Sequence, residues 1–166
     1  MNIKWPDGKK FTFSFCFDID GNTIWKARAK DYENGSNYLK SISIGDYGTR
    51  RGVRLILKIL DKYGIKATFF VPAIIMKNNQ ELIREIHDKG HEIAHHGFYH
   101  EYNYGGTPEE QLDLIKNCQK VFKNCIGESA KGFRPTAPLF DKTILQLEKE
   151  KNNLYLISEK GREKPY

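Results

Sequence analysis

The histidines of this chain are concentrated in one short segment, and histidine is a common ligand of transition metals in proteins. Four of the five histidines lie within ten consecutive residues, at His91, His95, His96 and His100. His96 and His100 are four positions apart, so one helical turn would place both imidazoles on the same face, within reach of one ion. His91 and His95 have the same spacing and form a competing pair. The segment therefore predicts a metal site, and the alternative is a polar, histidine-rich surface loop.

Two aspartates follow the first strand that the sequence predicts. Residues 11–18 alternate strictly between phenylalanine on one side and polar or small side chains on the other, which is typical of a strand. If the extended geometry continues, Asp18 and Asp20 emerge on one side at the carboxyl end of this strand. A single aspartate there could be a turn or cap residue. We interpret the pair as part of a binding site. The phenylalanines on the opposite side are Phe11, Phe13, Phe15 and Phe17.

The remaining elements alternate between helix and strand, which implies parallel strands joined by crossover helices. Residues 21–49 show no sustained periodicity and are interpreted as a long loop that either lines the substrate or covers one end of the fold. A capping box at Thr107 starts the longest helix, whose apolar face includes Cys118 and Cys125. The predicted elements are, in chain order, helix 50–63, strand 65–71, helix 79–89, strand 92–94, helix 108–126, strand 131–134, a helix capped by Asp141, and strand 154–158.

The chemically interesting side chains all follow predicted strands. Asp18 and Asp20 follow the first, His96 and His100 follow the third, and Arg134 ends the fourth. In parallel α/β folds the carboxyl ends of the strands meet at one rim, where ligands bind. We therefore expect these five residues to converge.

The chemistry of such a cluster points to hydrolysis. One carboxylate and two imidazoles can hold Zn²⁺, or another divalent transition metal, and leave positions open for water and substrate. A metal lowers the pKa of its bound water, and a second carboxylate can take the proton as that water attacks a carbonyl carbon. The two aspartates offer these two different roles. Arg134 could stabilise one carboxylate or the developing negative charge, and its structural alternative is a plain salt bridge.

Composition indicates an ordinary globular protein. The chain has 166 residues, of which 39% are hydrophobic and 29% charged, with a net charge of +6. We do not expect nucleic acid as a partner, because several basic residues lie on polar helix faces and no nucleic-acid-binding motif accompanies them. Residues 1–10 contain no apolar run, so we expect no signal peptide, no membrane anchor and a cytoplasmic location. Three cysteines without a paired motif argue against a disulfide framework. The lysines on polar helix faces are Lys58, Lys62, Lys116 and Lys120.

The same segments match a known family. Residues 17–20 (Phe-Asp-Ile-Asp), 96–100 (His-Gly-Phe-Tyr-His) and 132–135 (Gly-Phe-Arg-Pro) resemble, in order and spacing, the first three motifs of the polysaccharide deacetylases. This is the NodB-homology group, carbohydrate esterase family 4. Within the family, the chain is more similar to the branch that includes peptidoglycan-deacetylase-like proteins and the cyclic-imide or allantoin-type amide hydrolases. Two features indicate this branch, namely the glutamate after the second histidine and residues 66–72. The resemblance extends from about residue 11 to residue 147.

The resemblance implies a fold and a set of roles. The family fold is an irregular (β/α) barrel, here with about five parallel strands and flanking helices. Asp20, His96 and His100 would be the metal ligands, usually of zinc, and Asp18 the general base, tethered by Arg134. The substrate would be a carbohydrate or a small amide, and the backbone N–H of Tyr99 could face the oxyanion. His95 occupies a position that is not a ligand in relatives.

The chain also departs from the family. Relatives usually continue through a motif with Asp and Trp and a Leu-His motif that supplies a general acid. We therefore expect a single domain over 1–166 that lacks the usual C-terminal strands. Its open sheet edges could be covered by a second copy of the chain.

Three functional hypotheses follow. The first is a zinc-dependent deacetylase-type amide hydrolase acting on carbohydrate or, alternatively, on a cyclic imide. The second is a metal-binding remnant with impaired catalysis. The third and least favoured is a basic nucleic-acid-binding domain.

Overall fold

The fold is built on one sheet of five parallel strands in the order β1-β2-β3-β4-β5. The computed structural model of the chain describes residues 6–29, 39–101, 106–136 and 155–157. The fold class and the parallel strands predicted from the sequence are confirmed. The strands are β1 Phe15–Asp18, β2 Ala67–Val71, β3 Glu92–His95, β4 Gly132–Phe133 and β5 Tyr155–Leu156.

Helices lie between β1 and β2, between β2 and β3, and between β3 and β4, as the crossover connections of a parallel sheet require. A 3₁₀ turn at Pro6–Gly8 and a π-helical turn at Gly48–Gly52 complete the regular structure of the described residues. The helix predicted from Asp141 lies outside these residues. The helices are α1 Thr23–Ala29, α2 Leu39–Tyr47, α3 Val53–Tyr63, α4 Ala73–Asn78, α5 Gln80–Asp88 and α6 Pro108–Ile126.

The core lies between one face of the sheet and helices α3 to α6. Phe69 and Val71 of β2 are fully buried and belong to the same apolar cluster as Leu57, Ile83 and Phe122 from three of these helices. Burial of such side chains contributes about 1.5–3 kcal/mol each to folding. This cluster holds the sheet in position, and the sheet in turn sets the positions of the carboxyl ends of β1, β3 and β4.

The first strand is shorter than predicted. The phenylalanine alternation predicts a strand over 11–18, but β1 begins at Phe15, because its parallel partner β2 begins at Ala67, opposite Phe15. Residues 11–14 have no neighbouring strand in that register, and Phe11 and Phe13 are 74% and 72% exposed. Only Phe17 packs against the core, stacked on Phe69 with 5.3 Å between the ring centroids.

The predicted loop at 21–49 is wrong for the residues that the structure describes. Most of these residues form α1 and α2, and Gly45 of α2 packs against the turn before α1 and against the ring of Trp25. A Cβ at Gly45 would lie 2.5 Å from the carbonyl oxygen of Gly21, and Asn22 donates to the Asp46 carboxylate at 2.5 Å. Helices that associate without an apolar stripe give no periodic sequence signal.

The predicted N-terminus of α6 is confirmed. The Thr107 hydroxyl accepts from the Glu110 backbone N–H at 3.3 Å, and the Glu110 carboxylate accepts from the Thr107 backbone N–H at 2.8 Å. Cys118 and Cys125 are buried and unbridged, as the sequence predicts for core residues. Within the described residues, no helix is long and apolar enough to cross a membrane.

Replacing Thr107 by alanine should lower the free energy of unfolding by about 1 kcal/mol, the usual contribution of an N-cap side chain. Chemical denaturation followed by circular dichroism would measure the change. Thr12→Ala, at an exposed position before β1, is the matched control and should leave stability within about 0.5 kcal/mol. Equal midpoints for the two variants would contradict the capping role.

Candidate metal centre

Asp20, His96 and His100 converge at the carboxyl end of the sheet. Each offers a ligand atom, and these atoms lie within 4.8 Å of one another. The Asp20 carboxylate oxygens are 3.5 Å from Nε2 of His96 and 3.5 Å from Nε2 of His100. Both imidazoles are buried, and the Asp20 side chain keeps 27% of its surface exposed. Asp20 thus lies 76 and 80 positions before the two histidines in the chain, and the fold brings the three side chains into one cluster.

The sheet places two of these residues directly. The backbone of Ile19 continues the ladder by donating to the Phe70 carbonyl at 2.9 Å, and Asp20 follows. Its carbonyl accepts from the Thr23 hydroxyl at 2.7 Å, which ties it to α1. His96 follows β3, and its N–H donates to the Val71 carbonyl at 3.2 Å. Asp20 and His96 therefore lie on extensions of β1 and β3.

The tautomer of His96 suits metal binding. Its Nδ1 lies 2.6 Å from the backbone carbonyl oxygen of Arg134, so Nδ1 carries the proton and donates it there. The lone pair is left on Nε2, which faces Asp20. A backbone carbonyl that fixes the second ring nitrogen is the usual companion of a metal-binding histidine.

The segment between the two histidines is a loop, so the predicted helical turn is wrong. Gly97 has φ +74° and His100 has φ +65°, and both lie in the left-handed region. The loop is fixed to the start of α4, because the N–H groups of Ala73 and Ile74 donate to the carbonyls of Gly97 and Phe98 at 3.0 and 2.9 Å. Left-handed backbone, not a helical face, turns His100 towards His96.

The competing pair does not share this site. His91 precedes β3 at the opposite end of the strand, accepts from the Ala67 N–H at 3.2 Å through Nδ1 and packs edge-on against Phe69. His95 is fully buried against Phe133, with 4.7 Å between the ring centroids. Among the described residues, the group with metal-ligand spacing contains neither of them.

Asp18 and Arg134 form an ion pair beside the cluster. Nη1 of Arg134 lies 2.5 Å from Oδ1 of Asp18, and the guanidinium lies 4.1 Å from the centroid of the Phe70 ring. The pair joins the ends of β1 and β4, as the sequence predicts for residues at the carboxyl rim. A planar guanidinium held on an aromatic face gives its carboxylate partner a defined position.

Electrostatics distinguish the two imidazoles. Burial lowers the pKa of His96, although the Arg134 carbonyl and the charges of Asp20 and Asp18 oppose the shift. Burial also acts to lower the pKa of His100, but the hydrogen bond and charge of Asp20 exceed that effect, so its pKa is raised. In the metal-free protein, His100 therefore retains its proton to higher pH than His96.

A divalent cation fits this set of groups. Oδ1 of Asp20 is buried and accepts no hydrogen bond within the described residues. Two imidazole nitrogens face the same carboxylate, and one carboxylate with two imidazoles is a common donor set for zinc and ferrous ions. Bound there, such an ion would lower the pKa of a water molecule that it binds and would polarise the carbonyl group of a substrate.

Metal affinity should fall as the pH falls. Protons and metal compete for the same imidazole nitrogens, and His100, with its raised pKa, is the first ligand to protonate as the pH is lowered. Below that pKa the dissociation constant should rise about tenfold per pH unit for one displaced proton. Competition with a chromophoric chelator between about pH 8 and pH 5 would measure this. A dissociation constant independent of pH across that range would contradict imidazole ligation.

Comparison with known proteins agrees with this architecture. A family model described as polysaccharide deacetylase matches residues 42–155, more than half of the chain. The chain belongs to the polysaccharide deacetylase family. The family predicted from the sequence is thus confirmed, and enzymes of the family depend on a metal.

Two curated relatives and one solved structure illustrate the likeness. The peptidoglycan deacetylase-like protein FGM2 of Gibberella zeae is 34% identical over 148 residues, 87% of this chain and 42% of that protein. The peptidoglycan deacetylase of Helicobacter pylori is 26% identical over 125 residues, 75% of this chain and 41% of that protein. A structure from Mycobacterium smegmatis assigned to the polysaccharide deacetylases has a TM-score of 0.84 at 29% identity, covering 94% of this chain and 54% of that one. The chain spans less than half the length of the two curated relatives.

The structure adds one residue that the sequence analysis did not single out. Glu101, next to His100, accepts the backbone N–H of Tyr99 at 2.8 Å. The predicted use of that N–H for an oxyanion does not agree with this arrangement, because the donor is already engaged. Its signal in the sequence is the glutamate that directly follows the second histidine of the 96–100 motif.

Proposed function

We propose that the chain is a metal-dependent hydrolase of the deacetylase type, which cleaves the amide of an N-acetylated carbohydrate or the ester of an O-acetylated one. The observation that carries the proposal is the Asp20, His96 and His100 cluster beside the ion pair of Asp18 and Arg134. Zn²⁺ is the proposed metal, since one carboxylate and two imidazoles leave one open position on a tetrahedral ion. The relatives named as peptidoglycan deacetylases support a carbohydrate substrate.

Each of the chain's own groups has a proposed role. Asp20, His96 and His100 would hold the metal, and the Arg134 carbonyl would keep His96 in the correct tautomer. Asp18 would accept the proton of the attacking water, and Arg134 would hold the Asp18 carboxylate in position. A positioned general base contributes about 10²–10⁴-fold to the rate.

A single set of assays separates the proposal from its alternatives. Purified protein would be analysed for metal and then tested on acetylated chito-oligosaccharides, acetylated xylan and cyclic imides. Stoichiometric zinc with acetate release is the expected result. Ring-opened acid without acetate would assign the chain to the cyclic-imide type. Stoichiometric zinc with neither product would identify the metal-binding remnant, and absence of bound metal would refute all three.

Partners and location are proposed only from the sequence and the exposed surface. Self-association is proposed because β1 lies at one edge of the sheet with Phe11 and Phe13 exposed before it. Sedimentation that gives a clean monomer would refute it. The lysines on the polar helix faces are exposed, as solvated side chains should be, and give no reason to propose nucleic acid. The cytoplasmic location and the single domain over 1–166 stay predictions.

A further inference from the structure

Three consecutive backbone N–H groups between the two proposed histidine ligands donate to side chains that flank the loop. The Gly97 N–H donates to Nδ1 of His95 at 2.9 Å. The Phe98 N–H donates to both carboxylate oxygens of Glu101, at 2.9 and 3.2 Å, and the Tyr99 N–H donates to one of them at 2.8 Å. The Gly97 bond is buried and the Phe98 bonds are partly buried, and a buried backbone donor left unpaired is costly.

Glu101 also connects this loop to the neighbouring strand end. Its backbone carbonyl accepts the hydroxyl of Thr136. Thr136 is two residues beyond Arg134, whose carbonyl accepts the proton of His96 Nδ1. The segment after β4 therefore contacts the loop at both of its ends, at His96 and next to His100.

The backbone of the loop requires this support. His100 has φ +65°, a conformation that residues with a Cβ rarely adopt. A residue keeps this conformation only where several surrounding contacts hold its backbone in place. Residues in such conformations cluster at functional sites. The Glu101 carboxylate supplies three of the contacts on the His100 side of the loop, whereas the bonds from α4 reach the carbonyls of Gly97 and Phe98.

We propose that Glu101 is a positioning residue of the metal centre, which holds the 97–100 turn by accepting the N–H groups of Phe98 and Tyr99 and so directs the His100 imidazole at the ion. The inference rests on the proposed function only in requiring that Asp20, His96 and His100 bind a metal. Glu101 lies outside the group of three residues with metal-ligand spacing. Residues of this kind, one shell away from the ligands, typically change metal affinity or activity by about 10–100-fold.

The test uses metals as probes and needs no substrate. The full chain and its Glu101→Ala and Glu101→Gln variants would be loaded with Co²⁺, whose visible absorption reports ligand geometry, and Zn²⁺ affinity would be measured by chelator competition. We expect Glu101→Ala to weaken Zn²⁺ binding about 10–100-fold and to alter the Co²⁺ bands. Glu101→Gln keeps one acceptor oxygen, so it should recover part of the affinity. Glu109→Ala, at an exposed position in the first turn of α6, is the matched control and should behave as the parent.

The outcomes separate this inference from the proposed function. Parent affinity and an unchanged Co²⁺ spectrum in Glu101→Ala would overturn the inference alone. A parent that binds no metal would overturn the inference and the proposed function together. Weakened metal binding in Glu101→Ala, with a parent that hydrolyses nothing, would support the inference and refute the enzyme. If Glu101→Ala melts far below the parent without metal, the two variants would be compared at a temperature at which both are folded, and equal Zn²⁺ affinity in Glu101→Ala and Glu101→Gln would overturn the inference.

Discussion

His100→Ala should yield a folded protein that no longer retains zinc through gel filtration. The substitution removes one of three proposed protein ligands, and Asp20 and His96 alone cannot complete the donor set of a retained ion. The loss in affinity should exceed the 10–100-fold that is typical of residues one shell away from a metal. Zinc per chain, measured by mass spectrometry of the metal, together with circular dichroism, gives the result directly.

Two histidine controls make that result specific. His87 is partly exposed on α5 and pairs with Asp88 and Glu128, so His87→Ala should keep stoichiometric zinc. His91→Ala should also keep zinc while losing stability, because the ring is buried and accepts the Ala67 N–H. Full zinc occupancy in His100→Ala would show that the proposed ligand set is wrong. Loss of zinc in His87→Ala would show the same.

Asp18→Asn should keep zinc bound and lose hydrolysis by about 10²–10⁴-fold, the range expected for removal of a general base. Asparagine has nearly the same shape as aspartate, but its amide cannot accept the proton of the attacking water. Asp18 is outside the group of three with metal-ligand spacing and is bound instead by Arg134 at 2.5 Å. Zinc content and acetate release would be measured on the same preparation.

Asp113→Asn is the matched control for this change. Asp113 forms a comparable ion pair, with Lys116 at 3.0 Å, on the exposed side of α6. It should retain both zinc and activity. Activity equal to the parent in Asp18→Asn would refute the base assignment, and loss of zinc in that variant would move Asp18 into the ligand set.

Sequence patterns predicted the parts of the fold that follow from short-range signals or from a general rule of topology. The capping box at Thr107 predicted the start of α6, because both of its hydrogen bonds join residues three positions apart. The convergence of Asp20, His96 and Arg134 followed from one topological rule, that parallel strands bring their carboxyl ends to one rim. Neither inference needed knowledge of distant contacts.

The parts that sequence did not predict depend on contacts between distant residues. Phe11 and Phe13 alternate like strand residues, yet a strand forms only where a neighbouring backbone is available, and β2 begins opposite Phe15. The turn from His96 to His100 depends on the N-terminus of α4 and on Glu101, and neither effect is encoded in histidine spacing. The convergence of His96 and His100 on Asp20 was thus predicted although the helical geometry assumed for the pair was wrong.

The most direct test of the metal centre is anomalous diffraction at the zinc absorption edge from crystals of the full chain grown with Zn²⁺. The expected result is one strong peak bonded to a carboxylate oxygen of Asp20 and to Nε2 of His96 and His100, with zinc–ligand distances of about 2.0–2.2 Å. A peak beside His91 or His95, or no peak among Asp20, His96 and His100 in zinc-loaded protein, would contradict the proposed site.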